Sequence, residues 1–579
     1  MTRKTKYLLS LTLLLMGVFL VGKVAFAVYN REVEAVSPGD MFRIWWHGAL
    51  LDLRTAAIML VVPALLVTFV KRGVRALLIA YFCLLALAAG IVTVGDMIMY
   101  EFWEFKISSV VLSYAASPEG TTNSVSMGFI LARLLLLLSF VLLILIPVVW
   151  LTPKRFEEKR SIVAPVLIVA LALLPIRVGQ CYHRGTLFRS HAATNPVFRF
   201  ATSFLDERTY RCPSPYCADV AAAYRTGNEV TDTLLRTDRP NVLLIMMESF
   251  GGKFVEELGG VPDVAPNLSR LIPEGIFWEQ YYNNSFRTDR GTVSALSGWI
   301  SYPTISPMKR REMHGGLSSL ARSFNRAGYQ TGYMYGGPMT NMGKYQYIAD
   351  MGFEALMDDT YFTPEELNCS WGAHDEVAGM KMFRTIEPID TAAHWFMTWM
   401  TISSHEPWNV PYSRLEDERL NAFAYADHCV GELIDSLRTL PAWDNLLVII
   451  IPDHGYLYEQ TYDTGDFFHA PMLWLGGAIR EPRRMSVLMN QSDIAATLLT
   501  QMRLPHDDYP WSRNVLSPDY KPFVYCNYPA GLFFKDETGE TLYDLTARKG
   551  IPVGEVADSA RLEKALSILR CSYSLIPNP

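Results

Sequence analysis

Three widely separated places in this 579-residue sequence carry side chains that could share one reaction centre. Glu248 follows the continuously apolar run Val242–Met247, with Gly251-Gly252 just beyond it. A carboxylate emerging from such a run is costly to bury unless it is paired or holds a metal; otherwise it caps a following helix. Asp453-His454-Gly455 ends a second apolar run that begins at Leu446, and offers a carboxylate and an imidazole to one ion. Taken alone, the same triplet also reads as a surface turn. Thr292 follows Gly291 where a small-residue helical pattern opens. A hydroxyl there meets the positive end of the helix dipole and its free N–H groups, which suits attack on a phosphate. It needs a metal or base to activate it. The plain alternative is a helix N-cap, and Thr288 competes with Thr292 for either role. Three oxygen donors and one nitrogen, from Glu248, Thr292, Asp453 and His454, fit one divalent ion: Mn²⁺ or Mg²⁺ foremost, or Zn²⁺. Such an ion would lower the hydroxyl pKa and offset phosphoryl charge.

The elements that position these groups follow from the apolar pattern. Runs such as Val242–Met247 and Leu446–Ile451 fit strands buried on both faces, as in a parallel sheet. Ligands bind open parallel sheets at the carboxyl ends of the strands, where Glu248 and Asp453-His454 stand. Asn267–Ile272 reads as a short helix and Ile276–Tyr282 as an aromatic strand. Phe523–Leu545 alternates around an Asp536-Glu-Thr-Gly turn, which predicts a small antiparallel piece, and Lys564–Arg570 reads as a terminal helix.

Half of the residues are hydrophobic, 19% are charged and the mean hydropathy is +0.13, so part of the chain belongs in lipid. Five apolar stretches precede residue 177: Tyr7–Tyr29, Ala49–Val70, Ala76–Tyr100, Met127–Leu151 and the shorter Ser161–Ile176. Four are long enough to cross about 30 Å of hydrocarbon as helices. The basic groups Arg3, Lys4 and Lys6; Lys71, Arg72 and Arg75; and Lys154, Arg155, Lys159 and Arg160 fall on one side if all five cross. That places the amino terminus inside and everything after the fifth stretch outside. Asp52, Arg54 and Asp96 sit within the spans, where charges pair with one another or line a headgroup path.

Residues 177–239 lack a long apolar run and read as an interfacial linker. They hold Tyr182-His-Arg184, the aromatic Phe198, Phe200 and Phe204, and helical-looking segments at Val220–Arg225 and Val230–Arg236. The chain has eight Cys. Cys212 and Cys217 form a close pair, read as a disulfide in an extracytoplasmic segment, with a metal knuckle as the alternative. Cys526 and Cys571 could also pair. A net charge of −6 and a pI near 6.0, with no long basic tract, argue against nucleic-acid binding.

Several motifs together resemble the lipoteichoic acid synthase family, the membrane-bound phosphoglycerol transferases of the alkaline phosphatase superfamily. They are Asn241–Phe250, Gly291-Thr292 before Ser301-Tyr-Pro303, Ser403-Ser-His405-Glu-Pro-Trp408 and Asp453-His-Gly455. Trp371-Gly372 with Asp375-Glu376, Tyr425-Ala-Asp-His428 and Gln491–Thr497 also fit. The resemblance implies a sulfatase-like α/β domain whose Glu248, Thr292, Asp453 and His454 hold one metal. Thr292 would take a phosphorylated headgroup from a membrane phospholipid, phosphatidylglycerol or phosphatidylethanolamine, and pass it to an envelope glycan or lipid. His405 would contact the substrate phosphate or protonate the leaving oxygen, though by itself it also reads as a turn histidine. His469 is a lesser candidate beside the metal, and otherwise a satisfied core residue. The family's His and Asp fall at Tyr335 and Gly337, and its phosphate-contacting Arg at Lys344, which keeps the charge without the bidentate fork. The headgroup pocket therefore differs, and phosphoethanolamine transfer is the second reading, ahead of a sulfatase-like phosphodiester hydrolase and a non-catalytic sensor. The expected organisation is a five-helix membrane region (1–176), the linker (177–239), a catalytic domain with a mostly parallel sheet (240–530) and a small terminal subdomain (531–579). The expected place is a bacterial inner membrane, with the catalytic domain extracytoplasmic.

Overall fold

A computed structural model describes residues 2–70, 72–115, 127–156, 162–181, 186–212, 214–340, 343–389, 391–459, 464–551 and 558–576. Lys71, Lys159, Arg160, Ser161 and Tyr182-His-Arg184 lie outside the described residues. The chain divides into two compact units. One comprises Met1–Ser113, Val125–Asp206 and Asp544–Lys549, and the other Tyr114–Ser124, Glu207–Tyr543 and Gly550–Pro579. The segment expected as a linker is thus shared between them.

The first unit is helical because apolar segments without water to bond must satisfy their own backbone. Helices Arg3–Tyr29, Pro38–Phe69, Val74–Trp103 and Met127–Leu151 are long and apolar enough to cross a membrane, which makes the chain a membrane-anchored protein. The fifth stretch differs from expectation. Its helix is only Val163–Ala172, ten residues. At 1.5 Å per residue that is about 15 Å, half of a hydrocarbon core. The intramembrane charges are paired, with partners the sequence reading did not name. Asp52 takes an ion pair from Lys23 and a hydrogen bond from Asn195 Nδ2 at 2.9 Å. Asp96 pairs with Lys106 and accepts the Ile107 N–H at 2.9 Å. The Arg54 guanidinium donates to the carbonyls of Ala172 and Ile176.

The second unit is built on a nine-stranded sheet. Its strands are β1 (Asn241–Met247), β2 (Ile276–Tyr282), β3 (Gln330–Tyr335), β4 (Ala355–Met357), β5 (Trp395–Met400), β6 (Leu446–Pro452), β7 (His469–Leu475), β8 (Arg483–Met485) and β9 (Met489–Asn490). The order is β4-β3-β5-β1-β6-β7-β2-β8, with β9 also on β2. From β4 to β6 the strands are parallel; β7 runs antiparallel to both β6 and β2. Every residue of β1 and β6 is buried, as continuous apolar runs require. Each fully buried Val, Leu, Ile or Met there contributes about 1.5–3 kcal/mol.

A second, four-stranded sheet follows: β10 (Phe523–Tyr528), β11 (Gly531–Asp536), β12 (Gly539–Asp544) and β13 (Lys549–Ile551). Its β10–β11 pair is antiparallel, and helix Ser559–Ser574 follows. The expected cysteine pairings do not form. Cys217 bonds Cys571, with Cα atoms 5.4 Å apart, while Cys212 and Cys526 are free. Cys217 opens the helix Cys217–Tyr224, which packs along the terminal helix, so the bridge joins neighbours in space that are 354 residues apart in sequence. The Val230–Arg236 stretch is not helical; Leu235 instead makes an antiparallel bridge to Ile479.

Candidate active site

The site begins with strand register. β1 pairs β6 with Met247 opposite Pro452, so the next residues, Glu248 and Asp453, leave the sheet side by side. Adjacent strands lie about 4.8 Å apart. One ligand atom each from Glu248, Asp453 and His454 lie within 4.8 Å of one another, and all three residues are buried. The neighbouring β5 loop clamps the Glu248 backbone. Its N–H donates to Thr401 Oγ1 at 2.9 Å, and Ser404 Oγ donates to its carbonyl at 2.7 Å. Asp375 fixes that loop in turn by accepting the N–H groups of Ile402 (2.8 Å) and Ser403 (3.0 Å). On the other flank, Gln491 Nε2 donates to the carbonyls of Pro452 and Asp453, both at 3.0 Å. Several motifs that carried the family resemblance therefore act as braces.

The fourth group comes from helix Thr288–Ser297. Gly291 lets this helix touch the strand end directly, since a Cβ there would lie 2.0 Å from the Asp453 carbonyl oxygen. That contact sets which threonine meets the cluster. Thr288, in the first turn, has its Oγ1 3.4 and 3.5 Å from the Glu248 carboxylate oxygens and 3.4 Å from His454 Nε2. Those separations exceed the 2.7–2.8 Å typical of O–H···O bonds, so these groups surround a common point rather than bond one another firmly. Thr292 lies one turn further along, about 6 Å away. Its hydroxyl is buried and makes no hydrogen bond among the described residues. The expected quartet is thus corrected at one member: Thr288, not Thr292, stands with Glu248, Asp453 and His454.

The electrostatics of the cluster favour a cation. Burial, then repulsion by Asp453, pushes the Glu248 carboxyl up. Burial likewise raises Asp453 to about 6, against the N–H groups and the Thr288 hydroxyl that hold it down. Burial lowers His454. Its Nδ1–H donates to the Gly455 carbonyl at 2.6 Å, which leaves the Nε2 lone pair facing the carboxylates. Asp453 Oδ1 accepts two backbone N–H groups, from Ser249 and His454, both at 2.8 Å, whereas Oδ2 is buried and unbonded among the described residues. Two buried carboxylates, an imidazole lone pair and an orphaned oxygen are the donor set a divalent ion takes.

The remaining expected residues fall in different places. Lys344 opens helix Lys344–Asp350 and is fully buried. Its Nζ lies 3.5 Å from the Tyr335 ring centroid and 3.8 Å from Met400 Sδ. Burial pulls its pKa down to about 8, opposed by Glu248 and Asp453. His405 packs against Trp371, ring centroids 4.2 Å apart, and its Nδ1–H donates to the Glu406 carbonyl at 3.1 Å. His469 Nε2 donates to the Glu279 carbonyl at 2.7 Å and its ring stacks on Tyr282, so its described contacts are those of a packed core residue. Gly337 and Gly372 pack backbone on backbone; a Cβ on Gly337 would lie 2.4 Å from the Trp371 carbonyl oxygen. The acidic side chain of the lipoteichoic acid synthases has no room there. Sequence reasoning missed Ser249, whose signal was its place directly after the strand-tip acid.

Comparison with known proteins agrees with this layout. Residues 240–504 match the model of the sulfatase family. Phosphoglycerol transferase I of Xanthomonas campestris pv. campestris (strain B100) is 24% identical over 312 residues, 49% of this chain and 44% of that one. The chain thus spans less than half of that relative's length. Among solved structures, the lipoteichoic acid synthase LtaP from Listeria monocytogenes superposes with a TM-score of 0.51 and 16% identity, over 61% of this chain and 96% of that one. The integral membrane lipooligosaccharide phosphoethanolamine transferase A from Neisseria meningitidis gives a TM-score of 0.55 at 14% identity, over 89% and 98%. Residues 240–504 thus match the sulfatase family model, over less than half of the chain, and carry at their strand tips a buried Glu248–Asp453–His454 cluster that could hold a cation.

Proposed function

We propose that this chain is a membrane-anchored, metal-dependent transferase that moves a phospholipid headgroup phosphate, of phosphoglycerol type, to an acceptor hydroxyl on an envelope glycan or lipid. The observation that carries the reading is the Thr288 hydroxyl at a helix N-terminus, within 3.5 Å of both Glu248 and His454. Glu248, Asp453 and His454, with Thr288, would hold one divalent ion, which would lower the hydroxyl pKa and offset phosphoryl charge. Asp453 offers Oδ2, its Oδ1 being taken by N–H groups, and His454 offers Nε2. Thr288 Oγ1 attacks phosphorus as its proton passes to water. The bond from phosphorus to the glycerol oxygen of diacylglycerol breaks, and that oxygen gains a proton. His405 is the proposed proton donor and Lys344 the cation that steadies the phosphoryl oxygens. The acceptor hydroxyl then attacks the phosphothreonine, and Thr288 regains its proton.

The soluble unit's disulfide fits an oxidising compartment outside the cytoplasm. That placement requires the Val163–Ala172 helix and its flanks to cross as a fifth span. Gly337 favours a second reading for the headgroup, phosphoethanolamine, because the pocket lacks the lipoteichoic acid synthases' acid. Phosphatidylglycerol and phosphatidylethanolamine, each labelled in the headgroup, test both readings with the full chain in micelles. Transfer of label to an acceptor should vanish in Thr288→Ala and persist in Thr292→Ala. Transfer unchanged in Thr288→Ala would refute the assignment, and label released only as free headgroup phosphate would make the protein a hydrolase.

A further inference from the structure

Ser249 touches all three members of the cation cluster. Its N–H donates to Asp453 Oδ1 at 2.8 Å, its Oγ–H donates to Glu248 Oε1 at 3.0 Å, and the same Oγ lies 3.4 Å from His454 Nε2. It is buried, at 7% exposure, so these are its surroundings rather than solvent. It also holds a backbone conformation that a residue with a Cβ rarely adopts, φ +57°. Left-handed backbone outside glycine persists where the surroundings over-determine it, and such positions gather at functional sites.

β1 ends at Met247, and beyond it the N–H groups still alternate sideways as in a strand, Glu248 toward the β5 loop and Ser249 toward the tip of the neighbouring strand β6. Together with the His454 N–H, the Ser249 N–H occupies Asp453 Oδ1 and leaves Oδ2 as the free oxygen. The hydroxyl does the corresponding work on Glu248: one carboxylate oxygen accepts from Ser249. A carboxylate with one oxygen tied down offers the other in a fixed direction, and hydrogen bonds to metal-ligating carboxylates tune affinity about 10–100-fold.

We propose that Ser249 is the positioning residue of this centre. Its N–H and hydroxyl decide which oxygen of Asp453 and which of Glu248 face the cation. This rests on the metal-dependent reading above but concerns only how the chain presents its ligands. It asks of Ser249 no contact with the substrate and no proton transfer.

Two variants separate the hydroxyl from the backbone. Ser249→Ala keeps the Cβ and the N–H and loses the hydroxyl. Ser249→Gly loses the hydroxyl and also relieves the left-handed backbone. The test measures Mn²⁺ binding to the full chain in detergent micelles by titration calorimetry, and the visible absorption spectrum after Co²⁺ loading, beside the unfolding temperature of the metal-free protein. Both variants should bind Mn²⁺ about 10–100-fold more weakly than the wild type. Both should change the Co²⁺ spectrum, while Ser249→Gly keeps or raises the metal-free unfolding temperature. Wild-type Mn²⁺ affinity and spectrum in Ser249→Ala would overturn the proposal. So would a loss confined to Ser249→Ala, since that would trace to strain rather than to the missing hydroxyl. A wild-type chain that binds no divalent ion would instead overturn the metal-dependent reading itself, a result distinct from either variant outcome.

Discussion

The two units bury charge in opposite ways. In the membrane unit buried acids are matched to bases: Lys23 with Asp52, Lys106 with Asp96, Arg199 with Asp206. The sheet-bearing unit uses the same device away from the strand tips, where Arg513 and Asp493, both fully buried, share bonds at 2.6 and 2.9 Å. At the strand tips the rule is broken. Glu248 and Asp453 stand together with a histidine whose pKa burial lowers, and one carboxylate oxygen makes no hydrogen bond among the described residues. A neutralised buried pair holds helices or loops in register, and a lone buried acid such as Asp375 is satisfied by N–H groups; two buried carboxylates side by side, with one oxygen unbonded among the described residues, form a cluster that could take a cation.

The largest effect should come from removing charge at the strand tips. Asp453→Asn, Glu248→Gln or chelation of divalent ions should each lower headgroup transfer by at least about 10³-fold. The metal-free unfolding temperature should stay or rise, because two like charges no longer face each other. Transfer assays and thermal unfolding on the same samples check both halves. In the membrane unit the sign reverses. Lys23→Met alone should destabilise that unit by about 3–5 kcal/mol, since it strands Asp52, while Lys23→Met with Asp52→Leu should recover most of the loss. Unfolding in mixed micelles measures this, and equal losses in the single and double variants would break the comparison.

A smaller effect is expected at Lys344, a buried cation that faces a ring and a sulfur instead of an acid. Its folded-state pKa, about 8, lies below the unfolded value, so the folded chain binds the proton less tightly. Stability from this group therefore rises as pH climbs from about 8 toward 10.5, and below 8 the burial of the ammonium is a full penalty. Activity runs the other way: if the ammonium steadies the substrate phosphate, kcat/KM falls as pH rises through about 8. Lys344→Met should flatten that limb and lower kcat/KM at pH 7 about 10–100-fold, the worth of one charge-assisted hydrogen bond. The smallest effect belongs to His469, bonded to the Glu279 carbonyl and stacked on Tyr282. His469→Phe should cost about 1 kcal/mol of stability and leave transfer within roughly twofold.

What could be read from the sequence was whatever one strand or helix decides by itself. Apolar runs buried on both faces announced β1 and β6, and the polar residue after each run announced Glu248 and Asp453-His454. What depends on two elements meeting was hidden. The choice between Thr288 and Thr292 rests on how closely helix Thr288–Ser297 approaches β6, which the Gly291 contact sets. The Cys217–Cys571 bridge depends on a terminal helix returning across the fold, whereas Cys212 was merely near in sequence. Lys23 and Lys106 could not be matched to Asp52 and Asp96 without helix rotations. Strand β7 runs against β6 and β2 on either side of it, and nothing in an apolar strand records its direction.

The central claim is that Thr288 carries the headgroup phosphate between donor and acceptor. Mass spectrometry of peptides from the full chain, quenched after mixing with phosphatidylglycerol in the absence of acceptor, tests it most directly. The account predicts a glycerophosphoryl adduct on Thr288. An adduct on Thr292, or continued transfer with Thr288 unmodified throughout, would contradict it.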